Sequence, residues 1–267
     1  MPSPPQPLWR LLLATLLVLH AVPAQSSEVP NALARGDEAL AQIDYPSAVR
    51  AYEMALHVQS SDARVLWRLA RVHVLMSEVE EGAPRDTLLQ TAEQYARRAL
   101  RSDSTVAEGY TWLAAALGYR ALWAKPVDQL SLANELLHAL DAALIRNPND
   151  DVALSIKGSF YRALGNVSWI KKGLAALFIG RVPEGGFEES EEALRRAVAI
   201  APEVMRHRYE LAVLYLDTDR VLEAVSLLEE AATMPVRIAS DRPRLETIHE
   251  LLMKYRPEVA GGMRNGD

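Results

Sequence analysis

Histidines and carboxylates are the side chains best able to carry catalysis in this chain. The six histidines are His20, His57, His73, His138, His207 and His249, and no two stand three or four positions apart. A helix brings two imidazoles onto one metal only at those spacings, so no helical His-His site is encoded. Acidic runs occur at Glu78 to Glu81, Glu188-Glu189, Glu191-Glu192 and Glu229-Glu230. Acid–base work needs two carboxylates whose surroundings push their pKa values apart. These runs instead fit polar helix faces or helix starts, where acids favour the macrodipole, and they are expected to be solvated. Gly180 to Gly186 is interrupted by Pro183 and is followed by no Lys-Ser or Lys-Thr, so it reads as a loop and not as a phosphate cradle. Asn166-Val167-Ser168 matches a glycosylation acceptor but falls in a helical context. There is no cysteine, which excludes thiolate catalysis, disulfides and Cys-ligated metals. No nucleophile has an adjacent base. The expectation is a protein that is not an enzyme and that holds no metal and no cofactor.

Aromatic residues beside cations are the more informative combination. Trp67 adjoins Arg68 and Arg71, and Trp112, Tyr119, Arg120, Trp123 and Lys125 follow within one stretch. Tyr161 comes next, then Trp169 with Lys171 and Lys172. Apolar bodies with cationic tips suit a groove for acidic peptides or anionic lipid headgroups. The competing role for Trp67 and Trp112 is to fill a seam between helices.

The elements that must position these residues are announced by small side chains. Ala55, Ala99, Ala143, Ala197 and Ala231 each close an amphipathic stretch. Gly36 lies 19 residues before the first and Ala212 19 before the last. That pairing marks the tetratricopeptide (TPR) repeat, two antiparallel helices in ~34 residues. A small residue is needed where the two helices touch, because a branched side chain would hold the backbones apart. In the middle repeats the partners are Ala70, Ala114 and Gly158, at gaps of 29, 29 and 39, so these repeats carry insertions of ten, ten and twenty residues. Repeat one runs from about Asn31 to Ser61, turning at Asp44-Tyr45-Pro46. Glu81-Gly82-Ala83-Pro84 reads as a loop. Lys125-Pro126 breaks the third repeat, and Asn147-Pro148-Asn149-Asp150 is a turn with a new N-cap. A last helix from about Pro243 to Tyr255 caps the open end. The fold class is all-α: a TPR-like right-handed α-solenoid of about five helix pairs with a C-terminal capping helix. It is expected over residues 31–256, after a polar linker at 25–30 and before a flexible tail at 257–267.

Composition agrees with that class. Hydrophobic residues make up 49%, with Leu and Ala dominant and only three Phe, and β-branched runs are rare. The net charge of −6 argues against general nucleic-acid binding, which needs clustered cations. Residues 1–24 read as a signal peptide: Arg10 is the positive n-region, Leu11 to Leu19 an apolar run of nine, and Val22-Pro23-Ala24 the small residues before a cut after Ala24. Nine to twelve apolar residues are too few to span ~30 Å of hydrocarbon as a helix. The expected location is the periplasm or cell envelope of a bacterium.

Several segments together resemble the regulator of microtubule dynamics family of TPR-like proteins. They are Leu66-Trp67-Arg68-Leu69-Ala70-Arg71, Trp112 with Gly118-Tyr119, Asn147-Pro148, Gly158 with Tyr161, and Ser168-Trp169-Ile170-Lys171-Lys172. Pro183 and Glu188 to Ala193 follow. The resemblance covers roughly residues 32–256. It implies a helical interaction domain with no established catalytic residues. Animal members are associated with microtubules and mitochondria, and one is linked to organelle contact and phospholipid binding. The reading that follows is an exported, non-catalytic TPR-like scaffold that binds a protein or peptide through its concave groove. The alternative is a phospholipid-binding or lipid-transfer protein of the envelope, in which Gly173 to Ile179 after Lys171-Lys172 covers an apolar cavity or touches an anionic membrane. The candidate binding residues are Trp67, Arg68, Arg71, Trp112, Tyr119, Trp123, Tyr161, Trp169, Lys171 and Lys172.

Overall fold

The computed structural model describes residues 25–167 and 183–264. Among them are five antiparallel helix pairs and a last helix, with no strand. The pairs are α1 (Gln25–Ala41) with α2 (Tyr45–Val58), α3 (Ala63–Ser77) with α4 (Gly82–Ser102), and α5 (Ala107–Trp123) with α6 (Pro126–Arg146). Then come α7 (Asp151–Gly165) with α8 (Phe187–Ile200), α9 (Met205–Asp217) with α10 (Val221–Ala232), and the cap α11 (Asp241–Arg264).

The small-residue logic holds at atomic scale. All five closing alanines are fully buried, as are Ala70, Ala114 and Ala212. A Cβ on Gly36 would stand 2.2 Å from a ring carbon of Tyr52, and one on Gly158 would stand 2.4 Å from Cγ of Leu194. Glycine is required at these two crossings because the partner helix fills the space with a large side chain. Helix starts follow local chemistry. Asp44, Asp62 and Asp150 accept from the first-turn amides of α2, α3 and α7, and Pro126 opens α6.

The ten-residue insertions of repeats two and three lengthen helices. Helices α4 and α6 have 21 residues each, against 14 in α2 and 12 in α10. Glu81 to Pro84, expected as a loop, corrects to an N-cap and the first turn of α4, where proline lacks nothing the helix needs. Residues 25–30, expected as a linker, are the first turns of α1. Val29, Ala32 and Leu33 form one apolar stripe, and Val29 is only 4% exposed, so burial extends the helix back past the polar composition. At the other end α11 passes Tyr255 and runs through Pro257 to Arg264, into the stretch expected to be a flexible tail.

Residues 233–240, between α10 and α11, are not helical. Thr233, Pro235 and Arg237 are exposed and Met234, Val236 and Ile238 half-buried, and the chain turns over 238–241, where the Asp241 amide donates to the Ile238 carbonyl at 3.0 Å. Met234 packs with the core of the last repeat, while Ile238 and Ala239 pack with the core of the first. This short segment therefore joins the two ends of the stack.

Candidate functional site: a polar clasp in the groove

Glu78 is the C-cap of α3 and Arg206 the second residue of α9. Each is misplaced for its own helix, since acids are disfavoured at C-termini and cations at N-termini. They meet each other across 128 positions of sequence. The Glu78 side chain is 3% exposed. It accepts a hydrogen bond from Tyr119 Oη on α5 at 2.9 Å, from the guanidinium of Arg206, and from Ser240 Oγ. Arg206 also reaches Ser240 Oγ at 3.4 Å. One residue earlier, the Ala239 amide donates to Tyr45 Oη at the start of α2, at 2.9 Å. Tyr45 of α2, Glu78 at the end of α3 and Arg206 of α9 thus meet residues 239–240, with Tyr119 of α5 backing Glu78, so that segment sits where side chains of the first, second and fifth repeats come together.

The electrostatics follow from this crowding. Burial works to raise the Glu78 carboxyl, but the charge of Arg206 and the hydrogen bonds of Arg206 and Ser240 outweigh it and hold the group below the usual glutamate range. Burial works to lower Arg206, and Glu78 holds it well above its usual value. Burial pushes the Tyr119 phenol up, with Glu78 adding to the effect, so Tyr119 stays a donor. Arg244, nearby on α11, is lowered by burial and by Arg206.

A second cluster surrounds Asp37. Arg68 grips it with two nitrogens at 2.9 and 3.1 Å, and Tyr52 Oη donates to it at 2.7 Å. The Arg68 guanidinium lies 4.2 Å from the Trp67 ring and that of Arg71 lies 5.7 Å from the Trp112 ring. Nε of Arg71 is buried without a hydrogen-bond partner, and burial lowers its pKa. The structure thus gathers Trp67, Arg68, Arg71 and Trp112, with both rings also packed in the seam around Ala70 and Ala114.

The other candidates have different surroundings. Tyr119 belongs to the Glu78 clasp. Trp123 is 54% exposed at the end of α5, with Arg85 stacked 3.7 Å from its ring. Tyr161 is half-buried against Phe160 and Gly185. Trp169, Lys171, Lys172 and the Gly173–Ile179 stretch lie outside the described residues, as does the segment 1–24. The acidic run at 78–81 divides: Glu80 and Glu81 are exposed as expected, but Glu78 is buried and corrects that reading. None of Tyr45, Glu78, Arg206 and Ser240 was among the candidate binding residues. Their one local signal was the pair of charges on the wrong ends of two helices, a conflict that points to a tertiary partner. Among the described residues no group of three His, Asp or Glu side chains could hold a metal, and no helix is long and apolar enough to cross a membrane.

The sequence profile of the family described as Regulator of microtubule dynamics protein 1-3 matches residues 32–256. Regulator of microtubule dynamics protein 1 of Pongo abelii is 23% identical over 261 residues, spanning 92% of this chain and 82% of the relative. Its namesake in Caenorhabditis elegans is 21% identical over 190 residues, 71% of this chain and 84% of that one. In structure the chain is similar to a thermophilic TPR protein of Thermus thermophilus, with a TM-score of 0.62, 21% identity, and coverage of 82% of this chain and 98% of the other.

Proposed function

The chain belongs to the Regulator of microtubule dynamics protein 1-3 family, and from that premise we propose that it is an exported, non-catalytic scaffold that holds a polypeptide in its concave groove. One observation carries this reading: a non-helical stretch of polypeptide, the chain's own residues 233–240, already lies against side chains of other repeats, with the turn at 238–241 presenting Ala239 and Ser240 to them. It is held by a phenol, a carboxylate and apolar contacts, the means by which a groove takes a peptide main chain. Glu78 is paired with Arg206 and Asp37 with Arg68, so these charges hold one another rather than a reacting group. Export is supported by Arg10, the apolar run Leu11 to Leu19, and Val22-Pro23-Ala24. An exported chain meets no tubulin, so the role in the relatives' names is not carried over.

The test is photocrosslinking in the native host with a crosslinking amino acid in place of Trp67, beside the Asp37 cluster, and in place of the exposed outer residue Val127 as control. Polypeptide adducts at position 67 and not at 127 are expected, on a chain whose N-terminus by mass spectrometry is Gln25. Equal adducts at both positions, or one phospholipid co-purifying per chain, would replace this reading. Retention of Met1 would remove export from it.

A further inference from the structure

The segment lodged between the first, second and fifth repeats is a part of the chain that belongs to no repeat. We propose that the bed beneath residues 237–240 is the partner site itself, and that a partner's peptide making the same tight turn enters by displacing this segment. The proposal rests on the peptide-scaffold reading and deepens it. The partner chemistry is copied from the segment: an aliphatic residue, then a small residue with a free amide, then a hydroxyl residue, as in Ile238-Ala239-Ser240.

Three observations support displacement over a permanent staple. First, what the bed takes from the segment is generic. The Ala239 amide donates to Tyr45 Oη, Ser240 Oγ donates to Glu78, and Ile238 with Ala239 rests on the first repeat's core without being fully buried. Any peptide that turns in the same way with the same pattern can offer these groups. Second, the bed is complete without the segment. Glu78 keeps Arg206 and Tyr119 when Ser240 leaves, so opening strands no buried carboxylate. Third, the segment carries its own internal bonds. The amides of Arg237 and Ile238 donate to the Asp241 carboxylate at 2.9 and 3.1 Å, and the Asp241 amide returns to the Ile238 carbonyl at 3.0 Å. Those bonds stay with the turn when it swings out with the start of α11, and the one backbone donor released, the Ala239 amide, passes from Tyr45 to water.

Tethering sets the outcome of competition. A short flexible connection presents its own segment at an effective concentration in the mM range, so a free peptide must overcome that before it binds. The probe is a labelled synthetic peptide of residues 233–241, added to the signal-free chain and to an Ile238→Gly/Ser240→Gly variant. The variant is expected to bind the probe about tenfold or more tightly than the unaltered chain, and a probe carrying Ser240→Ala is expected to bind it less well. A folded variant that binds the probe no better than the unaltered chain overturns the proposal.

Hydrogen exchange on the unaltered chain keeps the test independent of how the variant folds. The Ala239 amide is expected to exchange through an opening that leaves the amides of α3 and α9 protected. Exchange of Ala239 only together with those helices overturns the displaceable segment and leaves the scaffold reading to its crosslinks. Independent opening with no probe bound overturns this site, and crosslinks absent at position 67 as well would take the scaffold reading with it.

Discussion

Glu78 and Arg206 are 128 residues apart, sit on the wrong ends of two different helices, and neutralise each other in the groove. The pair is buried on the Glu78 side, so its value is asymmetric. Replacing both charges together costs little, whereas removing one strands the other.

Arg206→Ala is therefore expected to destabilise by about 3–5 kcal/mol. The Glu78→Gln/Arg206→Gln double variant should lose clearly less than the sum of its single variants. Urea unfolding of all four proteins closes a double-mutant cycle. Additive losses would show that the two side chains do not act as a unit.

Acid should weaken the fold through the same carboxylate. The folded-state pKa of Glu78 lies below the ordinary 4.5, because Arg206 and its hydrogen bonds overcome the effect of burial. As pH falls, the unfolded chain takes up this proton first. The stabilisation is whole above about pH 4.5 and is lost as pH falls from there through the folded-state pKa. Asp37 has the same sign: burial raises it, but Arg68 and Tyr52 bring it below 3.8. Urea midpoints across this range should fall less steeply for Glu78→Gln than for the unaltered chain. Parallel slopes would contradict the assignment.

Gly158→Ala tests the tight crossing of α7 and α8. Alanine is the better helix former by ~1 kcal/mol, so the change would stabilise a crossing that had room. A Cβ here would stand 2.4 Å from Leu194 Cγ, and overpacking of about 1–3 kcal/mol is expected to prevail. In a Leu194→Ala background the same change should become neutral or favourable. An identical effect in both backgrounds would place the crossing elsewhere. By the same packing argument, Ala212→Leu and Ala231→Leu should each destabilise by ~1–3 kcal/mol.

Charge on the outer surface should matter little. Glu229 pairs with Arg256 at 2.8 Å and Glu230 with Arg208 at 2.9 Å, and both acids are about half exposed. Water screens such pairs, so replacing either glutamate should change stability by no more than ~0.5 kcal/mol. A thermal midpoint displaced as far as that of Gly158→Ala would overturn this.

What the sequence determined by itself is the repeat. Small residues at Gly36 and Ala55, Ala70 and Ala99, Ala114 and Ala143, Gly158 and Ala197, and Ala212 and Ala231 prescribe five helix crossings. Asp150 and Pro126 mark helix starts by local chemistry. These are interactions within a helix or between neighbouring helices, and their period is written along the chain. The true start of α1 was hidden, because Gln25 to Pro30 is polar in composition and only the burial of Val29 reveals the stripe it completes. What only the tertiary structure decided is the clasp. Whether Glu78 faces water or Arg206, and whether Ala239 meets Tyr45 194 positions away, depends on the rotation accumulated from one helix pair to the next. That sum has no period in the sequence, and a small change at each crossing would carry the partners past one another.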